Sequence, residues 1–475
     1  MTSEFKSALD LIGRLDDAFP GTQSLIVGGA VRDFLLDVPA HDVDIATNVP
    51  FSDLASLFEL QDITKNTVHA QPVSIIVHDG IPFEIAQFRT DSVGTSRKDN
   101  VATVAQTFDE DSARRDITIN AMAVDRNLKV IDPQGGRRDL IDGWIACVGD
   151  PDVRFEEDAT RILRVLRFAA KFDFIISPDT ATAIFDNGHR LLDRNQISPE
   201  SIGKEIFKAA GDGPQFARFI RLLDMFNISE LILPEWTALK GFTHDPIHHP
   251  EGGSTVQGHI LECLVQGNFK DSVTNLAIFF HDLGKATTRG VKDNGHSNYH
   301  GHEKAGVPIA TEIFDRLRFN DLSSQDKDDI LNATERHMLI HSLREVTVRT
   351  LAKLVLNPGW TVLKQVGFAD EASRGPDLFN QEEFTAKIAW AEERVKNIAR
   401  NRDELRLRVK EHVDGNKLLA WFPELQSNRK LLSPLLEFLA EFILECIDAG
   451  ETPSQEDIRQ VASSELLYNL TVQNN

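Results

Sequence analysis

Between Leu25 and Thr47 the chain reads L-I-V-G-G-A-V-R-D-F-L-L-D-V-P-A-H-D-V-D-I-A-T. A short apolar run ends in Gly28-Gly29, a helical start follows, and a second apolar segment carries Asp42 and Asp44 on alternate positions. Two glycines after a strand let backbone N–H groups approach a phosphate, and Arg32 one turn further on adds positive charge. Residues two apart in a strand share a face, so the carboxylates of Asp42 and Asp44 are expected over one spot. Carboxylates that close repel unless a cation lies between them, and Mg²⁺ is the hard ion that joins carboxylates to substrate phosphates. A tight glycine turn and a solvated D-x-D would each explain half of this pattern. Their occurrence within about 20 residues of each other favours phosphate and metal.

The formal charge of −22 excludes nonspecific wrapping of nucleic acid, which relies on many lysine and arginine contacts to phosphates. Any RNA contact must therefore be local. One basic cluster runs through Arg154, Arg161, Arg164, Arg167 and Lys171, and a second from Arg394 to Lys410. The 475 residues suffice for roughly three domains, and 41% hydrophobic content is ordinary for a globular chain. No apolar run reaches membrane-spanning length and no signal segment opens the chain, so no membrane partner and a cytoplasmic location are expected. Cys147, Cys263 and Cys446 lack C-x-x-C spacing and read as reduced thiols.

Residues 5–19 read as an amphipathic helix, and Val73–Val77 with Pro82–Phe88 as a hairpin around Asp79-Gly80. Glu84, in the second strand, is a candidate third carboxylate, with an exposed strand glutamate as the alternative. Thr90–Ala105 is polar and reads as a loop rather than an element. Ala113–Ala123, A-R-R-D-I-T-I-N-A-M-A, places Arg114 and Arg115 to neutralise phosphate and Asn120 to bond a ribose hydroxyl; a surface Arg-Arg-Asp salt bridge is the plainer alternative. In the helix expected from near Phe155, Asp158 and Arg161 are neighbours one turn apart. Cytosine and adenine both present an exocyclic amino donor beside a ring-nitrogen acceptor, so a carboxylate beside a guanidinium matches C and A and opposes U and G. An intrahelical ion pair without a ligand would have the same spacing.

The succession G-G-A-V-R-D, D-V-D, A-R-R-D-I-T-I-N-A-M-A and R-F-E-E-D-A-T-R-I-L-R-V-L-R-F-A-A resembles the class II tRNA nucleotidyltransferases, the CCA-adding enzymes, and their sister bacterial poly(A) polymerases. The resemblance implies an α+β chain: a polymerase-beta-like nucleotidyltransferase head with a small mixed sheet at 1–145, then helical regions. These are a neck for base recognition and RNA binding at 146–240, a body at 241–378, and a tail at 379–475 that contacts tRNA. It makes Asp42 and Asp44 the Mg²⁺ ligands and assigns the triphosphate to Gly28, Gly29 and Arg32. Ribose and phosphate contacts fall to Arg115, Asp116 and Asn120, and base reading to Asp158, Arg161 and Arg164. Thr90–Ala105 matches the family's flexible loop. Ile197–Glu205 is similar to a further family motif, with Ser201 where the family has arginine.

Downstream, His248-His249-Pro250-Glu251, His259, His281-Asp282-Leu283-Gly284-Lys285, His300, His302, His337 and Asp370 follow one another. Adjacent His-Asp among separated histidines is a metal-site pattern. The region resembles an HD phosphohydrolase domain of the kind fused to some bacterial CCA-adding enzymes. His259, His281 and Asp282 are the expected ligands, with His337 and Asp370 as further candidates, for Mn²⁺, Co²⁺, Ni²⁺ or a similar ion. Lys285 is expected to face a phosphate oxygen. The expected partners are tRNA, CTP and ATP, with no DNA, and the oligomeric state is left open between monomer and homodimer. The alternatives are a poly(A) polymerase, an enzyme adding only part of CCA, or an RNA-binding or metal-hydrolase protein with an inactive head.

Overall fold

The computed structural model describes residues 1–472 except 41, 60, 63–72, 92–101, 195–196, 245–254, 292–295, 401–408, 427–428 and 449–450. The opening helix spans Ser3–Ala18, capped by the Thr2 hydroxyl on the Phe5 N–H, and buries Phe5, Ala8, Leu11, Ile12 and Leu15 along one stripe. It packs against a seven-stranded sheet whose strands lie in the spatial order Gln61–Asp62, Val73–His78, Ile81–Gln87, Asp44–Thr47, Ser24–Val27, Ala123–Val124 and Val130–Ile131. The strands are β1 Ser24–Val27, β2 Asp44–Thr47, β3 Gln61–Asp62, β4 Val73–His78, β5 Ile81–Gln87, β8 Ala123–Val124 and β9 Val130–Ile131. Only β2 and β5 run parallel; the other neighbours are antiparallel.

Every residue of β1 is buried, because the sheet is covered on both faces there. Ile26 joins Ile45, Ile76, Phe83 and Ile85 in the large core shared with the opening helix. Leu25 and Val27 point the other way, into a small cluster with Ala46, Phe88 and Phe108. The hairpin turns at Asp79 (φ 52°) and Gly80 (φ 78°), the doubly left-handed geometry of a two-residue type I′ turn.

The segment read as a loop from Thr90 to Ala105 differs from that expectation at both ends. Strands β6 Arg89–Asp91 and β7 Ala102–Val104 pair antiparallel, with the hydroxyls of Thr90 and Thr103 2.7 Å apart. β-branched Thr90, Thr103 and Val104 suit a ribbon of this kind. The middle of the segment, 92–101, lies outside the described residues.

Beyond the head the described chain is helical, apart from two short ladders, Trp144–Ile145 with Ile175–Ile176 and Gly290–Val291 with Ser297–Asn298. The α+β architecture is therefore as expected. The large core is continuous from Phe5 to Val395, and the helix Gln381–Arg400 sends Phe384, Ile388, Ala391 and Val395 into it. Val413, Leu418, Leu435, Leu439, Ile443, Ile458 and Ala462 form a core of their own in the tail. No described helix is long and apolar enough to cross a membrane. Of the second basic cluster, residues 401–408 lie outside the described residues, as do residues 245–254 with the H-P-E-G stretch.

Candidate active sites

Gly28 holds φ 73° and ψ −135° at the start of the helix Gly29–Leu35, a conformation that strains any L side chain. A Cβ there would also lie 3.3 Å from Arg115 Nη1. Asp44 opens β2 opposite Val27. Asp42 precedes the strand instead of lying within it, as the alternation had suggested, yet both carboxylates line one concavity with Glu84. The parallel register explains Glu84: Ile45 pairs with Ile85, so Asp44 and Glu84 stand side by side one step back, on the opposite face from the buried isoleucines. Partial desolvation, then the charges of Glu84 and Asp42, push the Asp44 carboxyl above its usual range, against Arg115. Among the described residues, the groups of three or more ligand atoms within 4.8 Å of one another do not include these carboxylates. An all-oxygen, mutually repelling donor set of this kind fits Mg²⁺.

The carboxylates open onto a cleft of about 850 Å³ lined by nine basic and five acidic side chains, among them all the expected head and neck residues except Glu84. The structure rearranges their partners. Arg114 and Arg115 do not pair with Asp116; each is 2.9 Å from Asp111, which is buried on the short helix Phe108–Ser112. Burial alone would raise the Asp111 carboxyl, but Arg115 and then Arg114 outweigh it and hold the carboxyl below its usual range. Asp111 was missed in the sequence, although the Thr107/Glu110 capping box that sets its helix is a readable signal. Asp116 instead holds Arg164, with Nε–Oδ2 at 2.7 Å.

Arg32 lines the cleft but is only 4% exposed. Its guanidinium lies 2.7 Å from Asp33, donates to Asn120 Oδ1 and stacks 4.7 Å from the Phe172 ring centre. Its charge is thus already shared, and the Asn120 carbonyl expected to meet a ribose is engaged with it.

The expected single helix is broken in two, Pro151–Glu157 and Thr160–Phe172, because Asp158 adopts an extended backbone and its Oδ1 accepts from the Thr160 N–H. The carboxylate beside Arg161 is consequently Glu157, at 2.6 Å, and Arg161 also donates to the Arg114 carbonyl oxygen. Asp158 and Arg161 both line the cleft, but not as neighbours one turn apart on a single helix, since Asp158 caps one helix and Arg161 lies in the next. Glu205 is buried and holds Arg167 at 2.7 Å, and Ser201 lines the cleft without supplying a charge.

The second site lies among the helices Val256–Gly267, Ser272–Phe280, His302–Leu317, Ser324–His341 and Trp360–Ala372. His259, His281, Asp282, His337 and Asp370 are all buried and fall in two adjacent groups, His259, His281 and Asp370 with Cys263, and Asp282 and His337 with His302. His259 Nε2 is 3.2 Å from Asp370 Oδ1 and 3.6 Å from Asp282 Oδ2. Burial, then the charge of His281, pushes the His337 imidazole down to about 3. Among the buried polar atoms that make no hydrogen bond are His281 Nε2 and Asp282 Oδ1. Orphaned imidazole nitrogen and carboxylate oxygen side by side fit a divalent transition metal. Lys285 bonds both Asp282 and His244 at the wall of a cavity of about 630 Å³ that opens onto Asp282, His302, His337 and Asp370. The sequence reading did not single out His302 or His341 as site residues. His341 bonds Asp370 at 2.9 Å, and His302 stands 3.1 Å from Asp282 Oδ1.

Residues 24–146 match the family model of the poly A polymerase head domain, and residues 247–358 match that of the HD domain. The CCA-adding enzyme of Ligilactobacillus salivarius (strain UCC118) is 39% identical over 189 residues, 40% of this chain and 46% of that protein. The CCA-adding enzyme of Geobacillus stearothermophilus is 38% identical over 224 residues, 47% of this chain and 53% of that protein. The chain spans about half the length of these two relatives. The multifunctional CCA protein of Tolumonas auensis is 32% identical over 345 residues, 70% of this chain and 78% of that protein. Among solved structures, the Bacillus stearothermophilus CCA-adding enzyme in complex with CTP shares the fold, with a TM-score of 0.62 at 23% identity over 99% of this chain and 100% of that one.

Proposed function

The chain belongs to the family of CCA-adding enzymes and multifunctional CCA proteins, and from that premise we propose that it adds C, C and A to the tRNA 3′ end from CTP and ATP, without a nucleic-acid template and with release of pyrophosphate. The observation that carries the reading is the parallel register of β2 and β5, which sets Glu84 beside Asp44 in the concavity where Asp42 and Asp44 also open onto the basic cleft. Asp42 and Asp44, with Glu84 as a third carboxylate, would hold Mg²⁺. A pair of such ions held there would supply the two-metal chemistry of in-line phosphoryl displacement, activating the RNA 3′-hydroxyl and stabilising the departing pyrophosphate. The Gly28-Gly29 backbone admits the triphosphate closely, and Arg115, fixed by Asp111, presents its charge beside Gly28. Asp158 and Arg161 read the base, Arg161 held in direction by Glu157, while Asp116 positions Arg164 and Arg32 braces Asn120.

The proposal includes the division of labour among head, neck, body and tail, a tRNA contact in the tail, and a cytoplasmic site of action. The test incubates tRNA ending at the discriminator base with CTP, with ATP and with both, then sizes and sequences the products. C-C-A formed only with both nucleotides supports the reading. A long A tail from ATP alone replaces it with a poly(A) polymerase, and C-C or A alone with a partial enzyme. No incorporation under any condition would leave an RNA-binding or metal-hydrolase protein with an inactive head.

For the body we propose hydrolysis of phosphoester bonds at damaged tRNA 3′ ends carrying a phosphate or 2′,3′-cyclic phosphate. The orphaned His281 Nε2 and Asp282 Oδ1 support a bound transition metal, which would lower the pKa of its water toward neutrality. Lys285 lines the cavity and, besides its bonds to Asp282 and His244, would meet a phosphate oxygen there. A small phosphate ester and a 2′,3′-cyclic nucleotide, each assayed with Mn²⁺, Co²⁺ or Ni²⁺, test this. Turnover that survives His281→Ala with Asp282→Ala overturns it.

A further inference from the structure

We infer that Arg374 binds a second phosphate of the body's substrate, the one on the 5′ side of the terminal nucleoside, so that the body acts on the 3′ end of an RNA strand in preference to a free mononucleotide. The inference rests on the phosphohydrolase reading of the body and names its substrate class.

Arg374 follows the helix Trp360–Ala372 by two residues and lies one turn beyond Asp370, its N–H bonded to the Glu371 carbonyl oxygen. Its guanidinium is charged at every working pH. Its Nε is buried and makes no hydrogen bond. The carboxylates beside it in the chain are already engaged, Asp370 by His259 at 3.2 Å and His341 at 2.9 Å, Glu371 by Lys387 at 2.6 Å and His341 at 3.2 Å. Among the described residues the guanidinium has no ion pair. A partly buried cation without a counter-charge is costly, and the N–H fork of arginine matches a phosphate by two parallel hydrogen bonds. The fold leaves that anion to a ligand.

Position decides which phosphate. Arg374 and His341 line both the cavity of about 630 Å³ that contains Asp282 and Lys285 and a neighbouring cavity of about 1000 Å³. Arg374 therefore stands at the border between the two, while Lys285, inside the first, is the cation placed for the phosphate under attack. Asp370 and Arg374 are one helical turn apart, about 5.4 Å. Successive phosphates of an RNA strand are separated by a single ribose, a span of the same order.

The larger cavity is no basic funnel. Arg344 and Lys387 line it, but so do Glu345, Asp377, Glu382 and Glu383, which excludes a long RNA track. Its apolar part comes from the rings of Phe379 and Phe384, with centres 6.2 Å apart. Room with an aromatic face suits the one nucleoside attached beyond the second phosphate.

The full chain, loaded with the ion that supports turnover, is given adenosine 2′,3′-cyclic phosphate, the same molecule carrying a 5′-phosphate, and cytidylyl-(3′→5′)-adenosine ending in the cyclic phosphate. kcat/KM is expected to be about 10- to 150-fold higher for the latter two, through a lower KM, as hydrogen bonds to a charged group provide. Arg374→Gln should bring that ratio close to one and Arg374→Lys should retain part of it, with cobalt content and CTP incorporation by the head reporting intact folding. Equal kcat/KM for the three substrates in the wild type, or a preference that survives Arg374→Gln, overturns the inference. A preference for the 5′-phosphate that the dinucleotide does not share overturns the RNA strand as substrate. Absence of turnover on all three removes the hydrolase reading, and the contact is then read by calorimetry in saturating CTP, which fills the head. Adenosine 3′,5′-bisphosphate should bind more tightly than adenosine 3′-phosphate in the wild type and not in Arg374→Gln; equal affinities in the wild type overturn the phosphate contact.

Discussion

Replacing Gly284 by alanine perturbs the body at one atom. The added methyl would lie 2.0 Å from the His302 carbonyl oxygen and 2.5 Å from the Gly306 nitrogen, both backbone atoms that no rotamer change moves. Ordinary contact begins at 3.4 Å, so the start of the His302–Leu317 helix must retreat by about 1.4 Å. Retreat by that amount along the line to Asp282 takes His302 Nε2 from 3.1 Å to about 4.5 Å from Oδ1. Overpacking of this kind costs about 1–3 kcal/mol. Urea denaturation followed by tryptophan fluorescence should show a loss in that range, and cobalt binding in the body should weaken while CTP incorporation by the head is unchanged. A variant within about 0.5 kcal/mol of wild type and with unaltered cobalt binding would refute the close-approach argument.

Asp42→Ala and Asp44→Ala should each lower nucleotide addition more than about a hundredfold while tRNA retention in a gel-shift assay stays near wild type; near-normal incorporation by both would remove the metal assignment. Arg161→Ala should lower C and A incorporation together, by about 10- to 150-fold, since hydrogen bonds from a charged group are worth about 1.5–3 kcal/mol. A defect confined to ATP would contradict a shared reader. Asp111→Asn should destabilise the head by about 3 kcal/mol near neutral pH by leaving two guanidiniums uncompensated. Because the folded carboxyl titrates below its unfolded value, this stabilisation is present above the unfolded pKa of about 3.9 and is lost as pH falls through the folded one. The gap between wild type and variant in urea melts should therefore close below about pH 4, and a gap that widens there would reverse the sign of the argument.

What the sequence discloses depends on the range of the interaction. Gly28, Asp42 and Asp44 are legible because strand, glycine turn and carboxylate spacing are local, and the hairpin at Asp79-Gly80 for the same reason. Glu84 stays an even choice until the register is known, since a pairing between residues forty apart, Ile45 with Ile85, decides its face. The partners of the arginines are harder. Asp116 is adjacent to Arg115 in the chain, yet Asp111 one helical turn earlier takes both guanidiniums, and Asp116 reaches Arg164 across the cleft. The break at Asp158 is hidden because apolar periodicity runs on through it; the Asp-x-Thr capping spacing is the only local sign. In the body, His259, His281 and Asp282 are visible as a pattern. His302 becomes a site residue only through the contact that Gly284 permits.

The β2–β5 register also governs which errors in chain length the head can survive. Side chains alternate with a period of two, so a slip of β5 by one residue would turn Glu84 toward the isoleucine face, among Ile26, Ile45 and Ile76, and bring Phe83 or Ile85 out beside Asp44. An unpaired carboxylate in that apolar layer costs several kcal/mol unless it takes up a proton. The misregistered sheet is thereby disfavoured by the same side chain that serves the site. The hairpin from Val73 to Gln87 is thereby held at fixed length by its chemistry: an insertion or deletion within it would shift Glu84 off the face it shares with Asp44.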